Sequence, residues 1–424
     1  MKSWSRPWVP RLAGAGLPPR IFDTSSQGLA GTTTTGVATL YVCGITPYDA
    51  THLGHAATYL AFDTLIRAWL DAGYTVNYVQ NSTDVDDPLL ERATERGLDW
   101  RELAASQTEL FRGDMRALSI IPPDDYVAVT AVIPEVAAAV DALVRLGLAY
   151  EVPSTDSIDG EPDLYFDITA AAEAGPWHLG LESNLDRPTM LRLSAARGGD
   201  PERPGKHDAL DPLLWRAART GEPAWHTVLG LGRPGWHIEC SVIAVNRLGS
   251  SITVQGGGSD LLFPHHEFSA AHASALTGEP FARIYSHTGM VAFEGEKMSK
   301  SLGNLVLVSQ LTHAGADPRA IRLALLAHHY RTDWEWTADS LASGAARLES
   351  WRAWASTPGV SGVLGDPSAS GNGDLVTALR TAVAEDLDTP AAIAAVDAAV
   401  LTGATATTAD IDAVHSLLGI DLRA

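Results

Sequence analysis

Cysteine is almost absent: the 424 residues hold two, Cys43 and Cys240, far apart along the chain. A secreted disulfide framework uses more, so none is expected here. The plain role for two such residues is that of small buried hydrophobes. Basic residues are also in the minority. Thirty Lys and Arg stand against 51 Asp and Glu, giving a formal net charge of −21. A chain that grips a nucleic-acid backbone gathers Lys and Arg on one face. An acidic total argues only weakly against such a partner, because a local basic patch can sit inside it; no long basic run is visible. No run of about 18 apolar residues occurs, so no membrane-spanning helix is expected. The opening MKSWSRPWVPRLAGAGLPPR has basic residues but no apolar stretch of the signal-peptide kind. The cytoplasm is the expected compartment.

What is present is a chain with 46% hydrophobic residues, 38 Gly and 24 Pro. That supports a large core and two or three domains. Residues 1–36, rich in Pro, Gly, Ser and Thr, are expected as an irregular N-terminal extension. VATLYVCGIT then has the apolar, β-branched look of a buried strand. In the following stretch Ala57, Leu60, Ala61, Leu65, Ala68 and Trp69 recur at helical spacing, and Gly73 supplies a stop. TVNYVQNSTD is a second strand. This β-α-β opening predicts an α/β fold with a Rossmann-like, doubly wound parallel sheet. Residues 37–145 form its first half, with 88–145 mostly helical. Residues 146–230 are mixed and predicted as an inserted connective subdomain. Strand signals return at SSITVQGGG and RIYSHTGMVAF within 231–310, the second half. Residues 311–424 are expected as a C-terminal α-helical domain with a linker at 357–374.

Two short motifs carry phosphate chemistry. THLGHA lies just past the first strand, at a helix start. His52 and His55 are three apart and share a helical turn, and Gly54 between them lets a ligand approach the backbone. The free N–H groups of a helix N-terminus suit phosphate. A polar first turn is the plain alternative. GEKMSKSLGN at 295–304 places Lys297 and Lys300 on a short loop flanked by Gly295 and Gly303. Such a loop can close over a triphosphate and neutralise a leaving pyrophosphate. A solvated surface loop is the alternative for KxxK alone, but KMSKS as a whole is far more specific.

HxGH after the first strand and KMSKS after a late strand resemble the two signatures of class I aminoacyl-tRNA synthetases. YVCGITPYDATHLGHA, NSTDVDDP, PGWHIECS, GGGSDLLFPHHE and EKMSKSLGN together are similar to cysteinyl-tRNA synthetase, from about residue 20 to 340. The resemblance implies the class I catalytic fold and one Zn²⁺ per chain, held by Cys43, Cys240 and His265, with the cysteines arriving from two distant strands. Two thiolates and an imidazole suit that ion. A glutamate four residues after the histidine is also a ligand in the synthetases, and Ser269 stands there instead. Glu267 and His272 are poorly placed to replace it, and His266 packs or binds phosphate. Three protein ligands leave a place for the sulfur of a substrate cysteine. The cysteinyl-adenylate and ATP contacts implied are Cys43, Gly44, Ile45, Thr46, Thr58, Asn81, Ser82, Thr83, Trp236, Gly258, Ser259, Asp260 and Val291. Trp236 serves equally well as a core aromatic. The phosphate-handling groups implied are His52, His55, Lys297 and Lys300.

Some features depart from the synthetases. No usual anticodon-binding domain is expected after the last family-like helices, an N-terminal extension precedes the motifs, and Pro88 follows DVDD where the synthetases usually have Lys. The WVP of the extension, YVCGITPYDATHLGHAATY and ARGGDP (196–201) resemble a sister family, the mycothiol cysteine ligases of actinobacteria. That resemblance implies an ATP-dependent carbon–nitrogen ligase. It activates L-cysteine as cysteinyl-adenylate, with ATP as substrate together with Mg²⁺, and transfers it to the amine of glucosaminyl-inositol, releasing AMP and diphosphate. It implies a monomer with no tRNA and no membrane partner. A cysteinyl-tRNA synthetase lacking its anticodon domain is the alternative, and a non-catalytic paralogue is a third reading, disfavoured by intact HxGH, KMSKS and metal-binding residues. The residues do not identify an aminosugar pocket or a general base.

Overall fold

The computed structural model describes residues 1–48, 51–298, 304–356, 373–403 and 405–424. The chain begins with a hairpin of β1 (Arg20–Asp23) and β2 (Gly28–Gly31). This corrects the irregular arm expected over 1–36. Four-residue strands among Gly, Ser and Thr show no periodicity, and part of what holds β1 lies far away in sequence: Phe22 N–H donates to Asp386 Oδ1 at 3.0 Å.

Next come β3 (Val37–Val42), α1 (Leu53–Asp71), β4 (Thr75–Ser82), α2 (Asp87–Arg96), α3 (Trp100–Ala117), β5 (Asp125–Ala128) and α4 (Ile133–Arg145). β5 is hidden in a stretch expected to be mostly helical. The insertion follows: β6 (Ala149–Val152), β7 (Asp163–Phe166), α5 (Ile168–Ala174), α6 (Arg187–Ala196), β8 (Leu213–Ala217), β9 (Trp225–Thr227) and β10 (Gly230–Pro234). Its strands make an antiparallel sheet of order β6-β7-β8-β10-β9. The chain then returns through α7 (Trp236–Leu248), β11 (Val254–Gly258), α8 (Glu267–Thr277) and β12 (Tyr285–Thr288).

The central sheet is parallel throughout, in the order β12-β11-β3-β4-β5. Numbering its strands by appearance gives 5-4-1-2-3, the doubly wound order, which reverses between β3 and β11. Ligands of such sheets bind outside the carboxyl ends of the strands at that reversal.

β13 (Val291–Phe293) and β14 (Glu296–Lys297) form a second small hairpin, and α9 (Val308–His313) and α10 (Pro318–Leu326) follow. β15 (Trp334–Trp336), not expected from the sequence, pairs parallel with β13. Four helices complete the described chain: α11 (Ala338–Ser356), α12 (Gly373–Ala384), α13 (Thr389–Leu401) and α14 (Thr408–Leu418). The linker expected at 357–374 lies outside the described residues, except that Gly373 and Asp374 open α12. Among the described residues, no helix is long and apolar enough to cross a membrane.

Helix α1 is apolar on nearly every side and sits in the core, as such helices must. Its buried Asp63 accepts from Arg67 Nε at 2.7 Å, from Arg322 Nη2 of α10, and from Ile121 N–H at 2.8 Å. Arg322 in turn donates to Leu418 O at 2.6 Å and Leu118 O at 2.7 Å. The C-terminal helices are thereby fixed to the helix that begins at the HxGH motif. Burial pushes the Asp63 carboxyl up, but the two guanidiniums outweigh it and hold its pKa below the ordinary value.

Candidate active site and metal centre

Cys43 is the first residue past β3, so the edge of the sheet positions it. Its N–H donates to Gly256 O at 3.1 Å, and its carbonyl accepts from Tyr59 O–H at 3.1 Å. Cys240 lies in α7, which corrects the expected pair of strands: the apolar run around it is a buried helix. His265 lies in the turn Leu262–His266 that leads into α8. The ligand atoms of these three buried residues all fall within 4.8 Å of one another, the one such cluster among the described residues. His265 Nε2 is 3.2 Å from Cys240 Sγ. The donor set fits a thiophilic ion such as zinc.

Burial, then His237 and His272, keep the pKa of His265 well below that of a free imidazole, so the ring is neutral, as a ligand must be. Burial, followed by Cys43, raises Cys240. Trp236 stacks on His265 with ring centres 4.3 Å apart, so it walls the cluster. Among the described residues, no fourth His, Cys, Asp or Glu joins the cluster. Ser269 donates its hydroxyl to His237 O at 3.3 Å. Glu267 is tied to the insertion, accepting from Trp177 Nε1 at 3.1 Å, Gly180 N–H at 2.9 Å and Ser183 N–H at 2.8 Å. His272 sits edge-on to Phe166. His266 is packed rather than open to a phosphate: its Nδ1 is 2.8 Å from His287 Nε2, and His287 Nδ1 is 2.8 Å from Thr24 Oγ1.

The HxGH residues lie at the same edge of the sheet. His52 caps α1, its Nδ1 accepting from Gly54 N–H at 3.1 Å. The rings of His52 and His55 stack with centres 3.9 Å apart. A Cβ on Gly54 would lie 2.8 Å from the His52 ring, so the glycine is needed for this packing. Leu53 N–H donates to Val306 O at 2.9 Å, and His52 bridges to Leu307. The segment that follows KMSKS is thus fastened to the start of α1. Lys297 lies in β14, while Lys300 lies outside the described residues.

Most of the remaining predicted contacts follow the carboxyl ends of β3, β4 and β11, whereas Thr58 lies in α1 and Val291 in β13. Asn81 Oδ1 accepts from Gly44 N–H at 2.8 Å, Asn81 Nδ2 donates to Thr83 Oγ1 at 3.0 Å, and Thr83 N–H donates to Ile45 O at 3.0 Å. Ser82 ends β4 and is buried. Thr46 lies four residues past β3. Thr58 Oγ1 is 2.8 Å from Thr288 Oγ1 at the end of β12. Gly258 ends β11, and Ser259 and Asp260 follow it. A Cβ on Gly258 would sit 2.6 Å from Asp260 Oδ1. Val291 is buried in β13. Sequence reasoning missed His237, whose Nδ1 is 3.1 Å from His265 Nδ1. Its signal was its place in PGWHIECS, one helical turn before Cys240.

The fold and these motifs are those of a class I synthetase domain. The family of the tRNA synthetases class I (C) catalytic domain matches residues 31–346. Solved structures share the fold at low identity. Mycobacterium tuberculosis methionyl-tRNA synthetase in complex with methionyl-adenylate has a TM-score of 0.59 at 16% identity, covering 91% of this chain and 88% of that one. The Agrobacterium radiobacter K84 LeuRS ternary complex has a TM-score of 0.58 at 14%, covering 91% and 83%. Full-length relatives go further. The L-cysteine:1D-myo-inositol 2-amino-2-deoxy-alpha-D-glucopyranoside ligase of Clavibacter michiganensis is 62% identical, covering 100% of this chain and 99% of the relative. That of Nakamurella multipartita is 54% identical, with 100% of both covered. The chain belongs to this ligase family.

Proposed function

We propose that this chain joins L-cysteine to the amine of an aminosugar–inositol, using ATP and releasing AMP and diphosphate. The observation that carries the reading is that the cluster of Cys43, Cys240 and His265 and the stacked pair His52 and His55 both belong to the carboxyl edge of one doubly wound sheet. The cluster is read as a zinc site. When bound there, Zn²⁺ supplies a soft Lewis acid that selects the thiolate of cysteine over the hydroxyl of serine, a distinction that an apolar pocket makes poorly.

In this reading a carboxylate oxygen of cysteine attacks the α-phosphorus of ATP, and the bond to the bridging oxygen breaks to release diphosphate. His52 and His55, at the N-terminus of α1, stabilise charge growing on the α-phosphate, and Lys297 and Lys300 hold the leaving diphosphate with Mg²⁺. Asp260, beyond the glycines of β11, binds the ribose or the substrate amine. The aminosugar nitrogen then attacks the carbonyl carbon of the adenylate, AMP leaves, and the nitrogen loses a proton. An amine is nucleophilic enough that the step is assigned no general base. The enzyme acts as a cytoplasmic monomer without tRNA.

The test is AMP formation from ATP and cysteine, with and without glucosaminyl-inositol. Release that depends on this acceptor is expected. Charging of tRNA-Cys in its place would overturn the ligase reading, and absence of cysteine-dependent pyrophosphate exchange would overturn adenylation.

A further inference from the structure

ARGGDP at 196–201 lies in the insertion, away from the zinc and phosphate motifs in sequence, and nothing above gives it a role. The structure puts it to use at both ends. Arg197 closes α6, and its Nη1 donates to Asp260 O at 2.6 Å and also to Phe263 O. These two carbonyls bracket the turn between β11 and α8. On one side the turn carries the Asp260 carboxylate; on the other, two residues past Phe263, it carries His265. Phe263 is extended (φ −139°, ψ 135°) inside an otherwise helical turn, so its carbonyl stands outside the regular ladder. A buried carbonyl of that kind needs a donor from elsewhere, and a charged guanidinium is a strong one.

The rest of the motif aims the arginine. Gly198 takes φ 83°, a left-handed value that suits glycine. A Cβ on Gly199 would lie 2.2 Å from Ser194 Oγ and 2.9 Å from Ser194 O, so the chain can double back onto α6 only with glycine there. Asp200 then anchors the turn to the inserted sheet, accepting from Tyr165 O–H of β7 and from Lys206 Nζ at 2.9 Å.

We infer that ARGGDP is a tether, with Arg197 a positioning residue that holds the Asp260–His265 turn in register with Cys43 and Cys240. One guanidinium nitrogen thereby sets both the metal ligand and the acid assigned to the nucleotide or amine. This rests on the zinc reading proposed above.

The test measures Zn²⁺ alone, by competition with a chromophoric chelator, on the full chain as wild type, Arg197→Ala, Arg197→Lys and Asp200→Asn. Loss of a partner that orients a metal ligand costs roughly 10–100-fold in affinity. Arg197→Ala is expected in that range. Arg197→Lys, which keeps one charged donor, recovers part of the loss, and Asp200→Asn shows a smaller loss in the same direction with Arg197 intact. In cysteine-dependent pyrophosphate exchange, Arg197→Ala raises KM more than it lowers kcat. A wild-type protein with no zinc affinity overturns the metal reading and the tether with it. Wild-type zinc affinity retained by folded Arg197→Ala, with only the melting temperature lowered, overturns the tether alone.

Discussion

The imidazoles of His237 and His265 face each other through their Nδ1 atoms at 3.1 Å. One of the two must carry the proton. His265 turns Nε2 toward Cys240 Sγ, so the tautomer that frees Nε2 for a metal keeps its proton on Nδ1 and donates it to His237. Removal from water lowers the His237 pKa to about 3, so that ring is neutral and can accept. His237→Ala should therefore weaken Zn²⁺ binding by roughly 10–100-fold. Chelator competition reads it directly; unchanged affinity in a folded variant would show that the ring contact does not orient the ligand.

Cys240→Ser tests the cluster more severely. It exchanges a soft sulfur donor for a hydroxyl within the cluster. Because loss of an outer partner already costs up to about 100-fold, loss of a ligand should take bound zinc to background. Metal analysis of the purified variant is the measurement. Zinc content equal to wild type would remove Cys240 from the site.

These two residues also mark the limits of the sequence. YVCG, PGWHIECS and FPHHE were legible by their likeness to a known family, and with them Cys43, Cys240 and His265. The periodicity of Leu60, Leu65 and Trp69 gave α1, and the β-α-β opening gave the sheet. An apolar run buried on all sides reads alike as strand or helix, which is why Cys240 is expected on a strand and found in α7. Arg197 and the ties of Glu267 were not legible, since each acts through a partner 63 to 90 positions away; His237 sits inside PGWHIECS, but its partner His265 lies 28 positions on. β1, β5 and β15, of three or four residues each, were too short to show a period.

Gly44 has a steric reason to be glycine. A Cβ there would lie 1.7 Å from the carbonyl oxygen of Asn81, a backbone atom that cannot swing aside. Gly44→Ala should part the ends of β3 and β4 and cost about 1–3 kcal/mol. Cys43 is the adjacent residue, so zinc affinity should fall as well. Urea unfolding with chelator competition checks both, and a variant as stable as its parent would contradict the close contact.

Asp63 compensates two buried guanidiniums at once. Asp63→Ala would leave Arg67 and Arg322 together without a carboxylate between α1 and α10. Breaking a buried pair in this way costs about 3–5 kcal/mol. The urea midpoint should drop accordingly, and limited proteolysis should find α12–α14 first, because Arg322 also holds Leu418. Intact resistance of those helices would mean that apolar packing alone secures them.

Asp114 on α3 works against stability at neutral pH. It is buried, and its Oδ2 has no hydrogen-bond partner. Burial raises its pKa from 3.8 to about 7, with the charge of His313 on α9 pulling the other way. The folded state therefore binds the proton more tightly than the unfolded chain does. The stability this carboxyl contributes is fully present below pH about 4 and is lost as pH rises through about 7. Asp114→Asn removes the ionisation. The variant should melt above its parent at pH 8, by on the order of 2 °C, and the two curves should converge near pH 4. Thermal melts of both proteins across that range are the measurement. A constant difference at every pH would show that Asp114 does not titrate differently in the two states.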